Sequence, residues 1–445
     1  MDRIAVVGAG PVGLTATLEL AARGVPTVVL EAKAGLEPVG SRAIVLARHA
    51  LATFRRLGCP EIAERGVVLE RARTYVGETE LFTIEFPRVA ADELPAFVNL
   101  QQTHTERALA ARVGDVRFGA PVTGLRQHGE GVTLTTDKGE IEASYVVACD
   151  GAHSTVRRLL GLEFPGKTFR DRFLIADVQA ELPGFPRNER RFFFDPPSNP
   201  GRQILVHPQP DGEWRIDWQV PPETDAEAER ESGALDRRVR ALVGDAPYEL
   251  AWLTAYRFHQ RLAERFRVGR VFLAGDAAHL MAPFGARGMN SGVEDVTNLA
   301  WKLALVLRGD APDSLLDSYE RERRAAAREN LRVTGATMRF MAPPTALHRL
   351  ARNAILRGSL RAPRLRRFVN SGKLATPAVY PGEGPVGRPL SPGAQTVDDA
   401  GHGFTVAAHE GERLLVRPDG YVAARLDGIS LQAALGSALR GDLPA

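Results

Sequence analysis

Residues 4–13 read Ile-Ala-Val-Val-Gly-Ala-Gly-Pro-Val-Gly, and this stretch decides the fold. Its first four residues have the apolar pattern of a strand that is buried on both faces. The glycines that follow allow a tight turn and a close approach of the backbone to a bound phosphate. Helical spacing from Leu14 to Arg23 then predicts a helix whose free N–H groups point at that phosphate. The stretch therefore predicts the opening of a Rossmann-like dinucleotide site.

A second apolar run, Thr27 to Leu30, ends in Glu31, about 20 residues beyond the glycines. A carboxylate at this place accepts hydrogen bonds from the adenosine ribose and repels a 2′-phosphate. The sequence thus predicts bound FAD or NAD and excludes bound NADP. A glycine-rich turn without a ligand is the alternative, and the position of Glu31 weighs against it.

Length and composition are those of a large globular protein. The chain has 445 residues, of which 44% are hydrophobic and 25% charged, and its formal net charge is +3. This length exceeds that of a single core, so we expect two or three domains. The small net charge disfavours a dedicated nucleic-acid binder. Arginines are frequent between residues 321 and 367, and we expect them on solvated helix faces, with an acidic partner as the alternative.

The cysteine pattern and the hydropathy bear on localisation. Cys59 and Cys149 match no metal-site or redox-pair spacing, so no metal site is expected. No apolar run approaches the roughly 20 residues of a membrane span, and the first strand begins too early for a signal peptide. We therefore expect a cytoplasmic protein with reduced thiols and with neither a membrane nor a nucleic acid as partner.

Two later segments repeat the pattern of a buried strand followed by a turn. Residues 145–148 precede Asp150, and residues 271–274 precede Asp276. Because the carboxyl ends of parallel strands meet at one edge of a sheet, the three turns predict one cradle for one ligand. Asp276 is placed there to bond the ribityl chain of a flavin.

The second and third turns resemble the motifs of a known family. Residues 149–158 read Cys-Asp-Gly-Ala-His-Ser-Thr-Val-Arg-Arg, and residues 283–290 read Pro-Phe-Gly-Ala-Arg-Gly-Met-Asn. Both are similar to segments of the single-component FAD-dependent aromatic hydroxylases, which include the p-hydroxybenzoate hydroxylase-like and phenol hydroxylase-like monooxygenases. The resemblance covers about residues 3–340 and implies an α/β fold with a Rossmann-like FAD-binding domain.

The resemblance also implies which residues contact FAD. The loop before residue 288 and the helix after it face the pyrimidine edge of the flavin, where negative charge develops on reduction. Arg42 and Arg48 lie in a segment that approaches the FAD phosphates and the nicotinamide donor, and Ala32 replaces a usual basic residue. The expected cofactor-binding residues are Gly8, Gly10, Pro11, Val12, Gly13, Glu31, Ala32, Arg42, Arg48, Gln102, Asp150, Asp276, Pro283, Gly288, Met289 and Asn290.

The loop departs from the family pattern at two positions. Arg287 stands where many members have glutamine, and Ala286 stands where glycine is common. Arg287 and Pro283 are the candidates for catalytic residues near the ring, but no catalytic role is assigned. Arg287 could stabilise the reduced flavin, contact an acidic substrate or cover the loop at the surface. For His279 we expect structural packing rather than a role as catalytic base.

Stretches rich in aromatic and β-branched residues interrupt the flavin motifs. The expected domains are an FAD-binding domain (1–72, 98–167 and 262–345), an inserted substrate-binding β-sheet (73–97 and 168–261) and a C-terminal segment (346–445). Alternation places Trp214, Ile216 and Trp218 on one strand face, either as an aromatic wall of the substrate pocket or as sheet core. The C-terminal extension resembles a truncated thioredoxin-like tail without a cysteine pair, and we expect it to pack or to contact a subunit.

The motifs also limit the reaction. A flavin disulfide reductase needs a second dinucleotide fingerprint and a cysteine pair, and a flavin halogenase needs a Trp-x-Trp-x-Ile-Pro signature, which residues 214–220 lack. The resemblance then implies that NADPH or NADH reduces FAD and that O2 gives a flavin C4a-hydroperoxide, which hydroxylates a phenolic or polyketide-like aromatic substrate. The alternatives are Baeyer–Villiger or epoxidising oxygenation, or a non-catalytic FAD-binding protein. The chain is expected to be a monomer or a homodimer.

Overall fold

A computed structural model describes residues 3–36, 43–90, 93–382, 385–391 and 394–442. In chain order its strands are β1 (Ile4–Val7), β2 (Thr27–Leu30), β3 (Val45–Ala47), β4 (Val67–Val68), β5 (Arg71–Val76), β6 (Thr79–Glu85), β7 (Phe97–Asn99), β8 (Val116–Arg117), β9 (Val122–Gln127), β10 (Val132–Thr136), β11 (Gly139–Ala143), β12 (Tyr145–Ala148), β13 (Gly166–Ala180), β14 (Glu189–Phe194), β15 (Gln203–Pro208), β16 (Glu213–Val220), β17 (Tyr248–Leu262), β18 (Arg267–Val268), β19 (Val271–Leu273), β20 (His279–Leu280), β21 (Gln395–Gly401), β22 (Phe404–His409), β23 (Glu412–Val416) and β24 (Val422–Arg425).

The helices lie between these strands, and the last of them follows β24. They are α1 (Pro11–Ala21), α2 (Arg48–Arg56), α3 (Glu61–Arg65), α4 (Gln102–Ala110), α5 (Thr155–Leu159), α6 (Ala226–Glu231), α7 (Ala234–Val243), α8 (Gly288–Arg308), α9 (Asp317–Met341), α10 (Ala346–Arg361) and α11 (Leu431–Leu439). Short 3-10 turns occupy Pro210–Gly212, Gly275–Ala277, Asp313–Leu316 and Pro363–Phe368. No helix in the described part of the chain combines the length and the apolarity needed to cross a membrane.

The predicted α/β fold is confirmed by a six-stranded sheet in the order β18-β19-β12-β1-β2-β8. Strand β1 pairs in parallel with both β2 and β12, and β12 pairs in parallel with β19. All four residues of β1 are buried, as the apolar run predicts for a strand covered on both faces. The carboxyl ends of β19, β12 and β1 therefore lie side by side, which brings the three predicted turns together.

An eight-stranded mixed sheet lies beside this core in the order β20-β17-β13-β16-β15-β14-β5-β6. It unites the two aromatic-rich stretches, since β5 pairs in parallel with β14. Trp214, Ile216 and Trp218 belong to one core cluster with Leu235 and Val239 of α7. Of the two expectations for this face, the sheet core is confirmed and the aromatic wall is wrong, because α7 covers the tryptophans.

The C-terminal segment folds onto the FAD-binding part of the chain. Strands β21 to β24 form an antiparallel sheet, and Phe404 and Leu415 of this sheet join Trp301 and Leu305 of α8 in one core cluster. Strands β23 and β24 pair as an antiparallel hairpin, with residues 418–420 in the turn between them. The expected packing role of the tail agrees with this contact, whereas the predicted domain boundaries stay a prediction.

The expectation for the arginine-rich stretch is wrong at its most buried members. Arg323 of α9 is fully buried and Arg352 of α10 is 6% exposed, so neither lies on a solvated helix face. The guanidinium of Arg323 donates hydrogen bonds to Asp295 (2.7 Å) and to the Tyr380 hydroxyl (2.9 Å). Buried charges of this kind require partners, and α8 and the segment after α10 supply them.

Candidate functional site

One cavity of about 840 Å³ is lined both by the three glycine turns and by the eight-stranded sheet. Most of the residues that were expected to bind the cofactor line it. They are Gly8, Gly10, Pro11, Val12, Glu31, Ala32, Gln102, Asp150, Asp276, Pro283, Gly288, Met289 and Asn290. Gly13, Arg48 and Arg287 are not among the described residues that line it, and Arg42 lies outside the described residues.

The three glycines of the first turn differ in what surrounds them. A Cβ atom on Gly13 would lie 1.9 Å from the Gly8 carbonyl oxygen, and one on Gly8, whose φ is +100°, would lie 2.5 Å from the Cys149 carbonyl oxygen. Apart from Gly10 itself and its two chain neighbours, no atom of the described residues lies within 4 Å of a Cβ built on Gly10. Gly8 and Gly13 are thus needed for packing within the protein, and Gly10 leaves open space where a pyrophosphate fits.

Glu31 closes one side of this space at the end of β2. Its carboxylate accepts hydrogen bonds from the backbone N–H groups of Ala9 (2.7 Å) and Lys33 (2.9 Å). These bonds join the end of β2 to the glycine turn and hold the carboxylate at the cavity wall. A carboxylate in this place suits an adenosine ribose, as the sequence predicts.

Two aspartates line the cavity at the ends of the neighbouring strands. Asp150 accepts a hydrogen bond from the Val156 backbone N–H through Oδ2 (3.0 Å), and its buried Oδ1 has no partner among the described residues. Asp276 lies in the 3-10 turn after β19. A buried acceptor without a partner is costly, so the site fits a ligand with hydroxyl donors, such as the ribityl chain of FAD.

The start of helix α8 forms the third side. Gly288, Met289 and Asn290 line the cavity at the N-terminus of this 21-residue helix, where free N–H groups favour developing negative charge. The Asn290 side chain accepts from the Ala47 backbone N–H and donates to the Val45 carbonyl, both at 2.9 Å. Asn290 therefore holds β3 against the start of α8. Pro283 lines the adjoining wall of the cavity.

Arg287, directly before α8, is buried and directed into the protein. Its guanidinium donates to Asn330 Oδ1 at 2.5 Å and to the Leu374 carbonyl at 3.2 Å, and only 7% of the residue is exposed. Burial lowers the pKa of Arg287, and the nearby carboxylates of Glu294 and Glu329 partly offset this decrease. A surface role is therefore wrong, whereas contact with flavin or substrate stays a prediction.

Three further residues that the sequence analysis considers, Gln102, Arg48 and His279, differ in their surroundings. Gln102 accepts from the Ala43 backbone N–H (3.2 Å) and donates to Glu106 (2.8 Å). Arg48 is exposed at the start of α2. The buried His279 ring pairs through Nε2 with Asp295 Oδ2 at 2.7 Å, and the same oxygen accepts from the Gly275 backbone N–H at 3.0 Å. His279 thus supports the third turn from behind.

Sequence reasoning missed the polar face of the eight-stranded sheet. Arg215 and Asp217 alternate with the core tryptophans along β16, and the register places Arg215 beside His207 of β15 and Asp177 of β13. Arg190 of β14 continues this lateral row, since Arg191 pairs with Val206. Arg190, His207, Arg215 and Asp217 all line the cavity. The alternation was visible in the sequence, but charged residues on one strand face usually indicate solvent.

Electrostatics on this face are unusual for a ligand cavity. Arg215 is paired with Asp177 through two hydrogen bonds, of 2.5 and 2.7 Å. Burial raises the pKa of Asp217 to about 7. The positive charge of Arg215 acts against this increase, whereas the negative charge of Asp177 adds to it. Burial lowers the pKa of His207 well below its ordinary value, and Arg190 and Arg215 add to that effect. Asp217 Oδ1 and His207 Nδ1 have no hydrogen-bond partner among the described residues.

Comparison with known proteins agrees with this geometry. The family described as FAD binding domain matches residues 2–334. The 3-(3-hydroxy-phenyl)propionate/3-hydroxycinnamic acid hydroxylase of Mycobacterium sp. (strain KMS) is 34% identical over 82% of this chain and 64% of its own. The chain thus spans a little under two thirds of the length of that curated relative.

Two solved structures extend the comparison. The p-nitrophenol 4-monooxygenase PnpA from Pseudomonas putida DLL-E4 is 31% identical, with a TM-score of 0.71 over 83% of this chain and 96% of its own. The Diels-Alderase PyrE3 of pyrroindomycin biosynthesis is 29% identical, with a TM-score of 0.73 over 99% of this chain and 100% of its own. The likeness to PyrE3, which covers 99% of this chain, includes the sheet that completes the cavity.

Proposed function

Because this chain belongs to the FAD-dependent aromatic hydroxylase family, we propose that it is a monooxygenase that uses NADPH or NADH and O2 to hydroxylate a phenolic or polyketide-like aromatic substrate. The observation that carries the proposal is that the three glycine turns and the face of the eight-stranded sheet line the same cavity. A flavin held by the turns and a substrate on the sheet would meet there, shielded from water.

The residues of the turns fit FAD, and each has a place in the proposal. The open space at Gly10 and the start of α1 would receive the pyrophosphate, and Glu31 would bind the adenosine ribose. Asp150 and Asp276 would accept hydrogen bonds from flavin hydroxyls, and the N–H groups at the N-terminus of α8 would stabilise negative charge on the ring. Bound FAD would supply the redox chemistry, accepting a hydride from NAD(P)H and activating O2.

In this proposal, a side chain of the eight-stranded sheet accepts the phenolic proton of the substrate. Hydroxylation of a phenol is assisted when the ring hydroxyl loses its proton, because the ring becomes richer in electrons. Asp217 lines the cavity, its Oδ1 has no partner within the described residues, and its pKa is near neutrality. We assign to Asp217 Oδ1 the role of accepting the substrate's phenolic proton.

A second candidate function is a reaction that uses the flavin site without oxygenation. It is favoured by one observation, the likeness to PyrE3 over the whole chain, since that protein is described as a Diels-Alderase. Baeyer–Villiger or epoxidising oxygenation would use the same three flavin motifs and differ only in the substrate pocket.

We also propose a cellular compartment, a mode of NAD(P)H binding and an oligomeric state for the enzyme. Cys59 and Cys149 are free, which suits a reducing compartment such as the cytoplasm. NAD(P)H is proposed to bind transiently, and the enzyme to act as a monomer or homodimer. Size-exclusion chromatography with light scattering measures the latter.

The function is tested with purified protein saturated with FAD, NADPH or NADH, ¹⁸O2 and a set of phenols that includes 3-(3-hydroxyphenyl)propionate and p-nitrophenol. We expect NAD(P)H oxidation that depends on one of the phenols, and a product heavier by one ¹⁸O atom. Asp276→Ala should bind FAD about 10- to 100-fold more weakly, since it loses a charge-assisted hydrogen bond, and its turnover should return at high FAD. Protein that binds FAD but inserts no ¹⁸O into any phenol would favour the second candidate, and protein that takes up no FAD would contradict both.

A further inference from the structure

Within the described part of the chain, Arg190 is a buried cation without a partner. The residue is 7% exposed and lines the cavity from β14. Across the described ranges, its guanidinium makes no hydrogen bond, ion pair or ring contact. Neighbouring Arg191, on the opposite face of the same strand, pairs instead with Glu189 and donates to the Gly184 carbonyl. The lack of a partner is therefore particular to the side chain that faces the cavity.

The carboxylates of the sheet face do not compensate Arg190. Asp177 is held by Arg215 through two hydrogen bonds, and Arg215 is also the cation that acts on Asp217. The titratable neighbour on the Arg190 side is His207, whose pKa Arg190 helps to lower, so this imidazole is neutral. On this sheet face, the charge of Arg215 is therefore neutralised by carboxylates, whereas no carboxylate within the described residues neutralises the charge of Arg190.

An uncompensated buried charge needs a reason. Taking an arginine out of water without a counter-charge is strongly unfavourable, and buried charges are ordinarily paired. Burial lowers the pKa of Arg190 to about 10, so the side chain remains protonated at neutral pH. A ligand anion in the cavity would supply the missing charge, and the planar guanidinium suits a carboxylate through two parallel hydrogen bonds.

We propose that Arg190, assisted by His207, binds a carboxylate of the aromatic substrate and so selects acidic phenols over neutral ones. This inference rests on the proposed function and names the substrate class. Arg190 and Asp217 lie two strands and two residues apart, which puts their Cα atoms on the order of 12 Å from each other. The substrate would therefore carry its carboxylate at one end and its oxidisable hydroxyl at the other.

Binding is measured on the oxidised FAD-loaded protein, without NAD(P)H, from the change in flavin absorbance. The probes are 3-hydroxybenzoate, 3-hydroxyphenylacetate and 3-(3-hydroxyphenyl)propionate, each compared with its primary amide. We expect at least one carboxylate to bind about tenfold or more tightly than its amide. Arg190→Gln should abolish this preference, leaving FAD affinity unchanged.

Arg191→Gln is the matched control, since it removes an arginine from the other face of the same strand and should keep the preference. Arg190→Met adds a readout that separates ligand binding from a structural role. Without ligand it should unfold at an equal or higher temperature than the wild type, because a buried charge is removed.

Three results would overturn the proposal: equal affinity for every acid and its amide in the wild type, a preference that survives Arg190→Gln, or a loss of FAD rather than of carboxylate binding in that variant. Since no turnover is involved, a failure of hydroxylation leaves these measurements intact. A wild type that hydroxylates neutral phenols and shows no preference for acids would contradict this inference alone.

Discussion

Asp217 and Trp218 are neighbours in β16, yet one lines the cavity and the other is fully buried in the core beneath α7. The alternation that points them to opposite faces is written in the sequence. The packing of the sheet against the FAD-binding part of the chain places Asp217 in the cavity lining rather than on the protein surface. The same packing raises its pKa, because water is excluded.

Asp217→Asn is predicted to remove a pH dependence of hydroxylation. Asp217 accepts a proton only when ionised, so the wild-type hydroxylation rate should rise as the pH rises through about 7. The Asn variant should be slower by about 100-fold or more at pH 8, and its rate should not rise over this range. Single-turnover hydroxylation with a confirmed phenol, measured between pH 5.5 and 8.5, checks this. Asp171→Asn, a change in β13 outside the described cavity lining, is the control, and an unchanged pH profile in Asp217→Asn would assign the proton to another acceptor.

Helix α8 shows how an element is positioned by the loop before it. Gly285, with φ +91°, packs so closely that a Cβ atom would lie 2.1 Å from the Lys373 carbonyl oxygen. Ala286 then adopts a φ of +56°, a left-handed conformation that non-glycine residues rarely take. The loop thus has a fixed conformation, and it contains strain at the position where the aromatic hydroxylases commonly have glycine.

Ala286→Gly is predicted to stabilise the FAD-loaded protein by about 0.5–1 kcal/mol. Relief of the left-handed strain exceeds the entropy that glycine adds to the unfolded chain, and the loss of one methyl contact partly offsets the gain. Urea unfolding of both proteins measures the difference. Ala300→Gly, within α8, provides the opposite expectation, a loss of about 1 kcal/mol. If Ala286→Gly were the more destabilising of the two, the methyl contact would outweigh the strain.

At the scale of the whole molecule, a buried ionic network fastens the C-terminal sheet to the FAD-binding part. Arg417 of the tail donates to both oxygens of Glu322 in α9, at 2.8 and 2.9 Å. Glu322 also accepts from Asn298 and Lys302 of α8. Burial acts to raise the pKa of Glu322, but Arg417 and Lys302 outweigh it and hold this pKa well below its usual range. The tail therefore reaches the two helices that support the cavity.

Arg417→Met is predicted to destabilise the protein by about 3 kcal/mol or more, because it leaves part of a buried ion cluster without its counter-charge. The expected signs are a lower unfolding midpoint and faster protease cleavage within residues 394–442. Arg425→Met, in the same hairpin, removes an arginine that is paired with Glu412 and Asp427 but is 46% exposed, and it should cost less than about 1 kcal/mol. Equal losses in the two variants would show that the buried network does not hold the tail.

The sequence by itself determined the parts of this protein that depend on local pattern. The run from Ile4 to Gly13, with Glu31 after it, specifies strand, turn, helix and acceptor within one short segment, because the backbone needs glycine there whatever lies around it. Asp150 and Asp276 could be found in the same way, since each follows a short buried strand. The convergence of these turns at one sheet edge followed from the rule for parallel strands, and the order of the strands confirms it.

Only the tertiary structure decided what depends on residues distant in the chain. Arg190, His207, Arg215 and Asp217 come from three strands whose register no local pattern contains, so their shared cavity was invisible in the sequence. Arg323 and Arg287 look like surface arginines in the sequence, but partners on α8, α9 and the segment near residue 374 bury them. Burial and charge compensation are properties of the packed molecule, because the solvation of a side chain is set by every element that covers it.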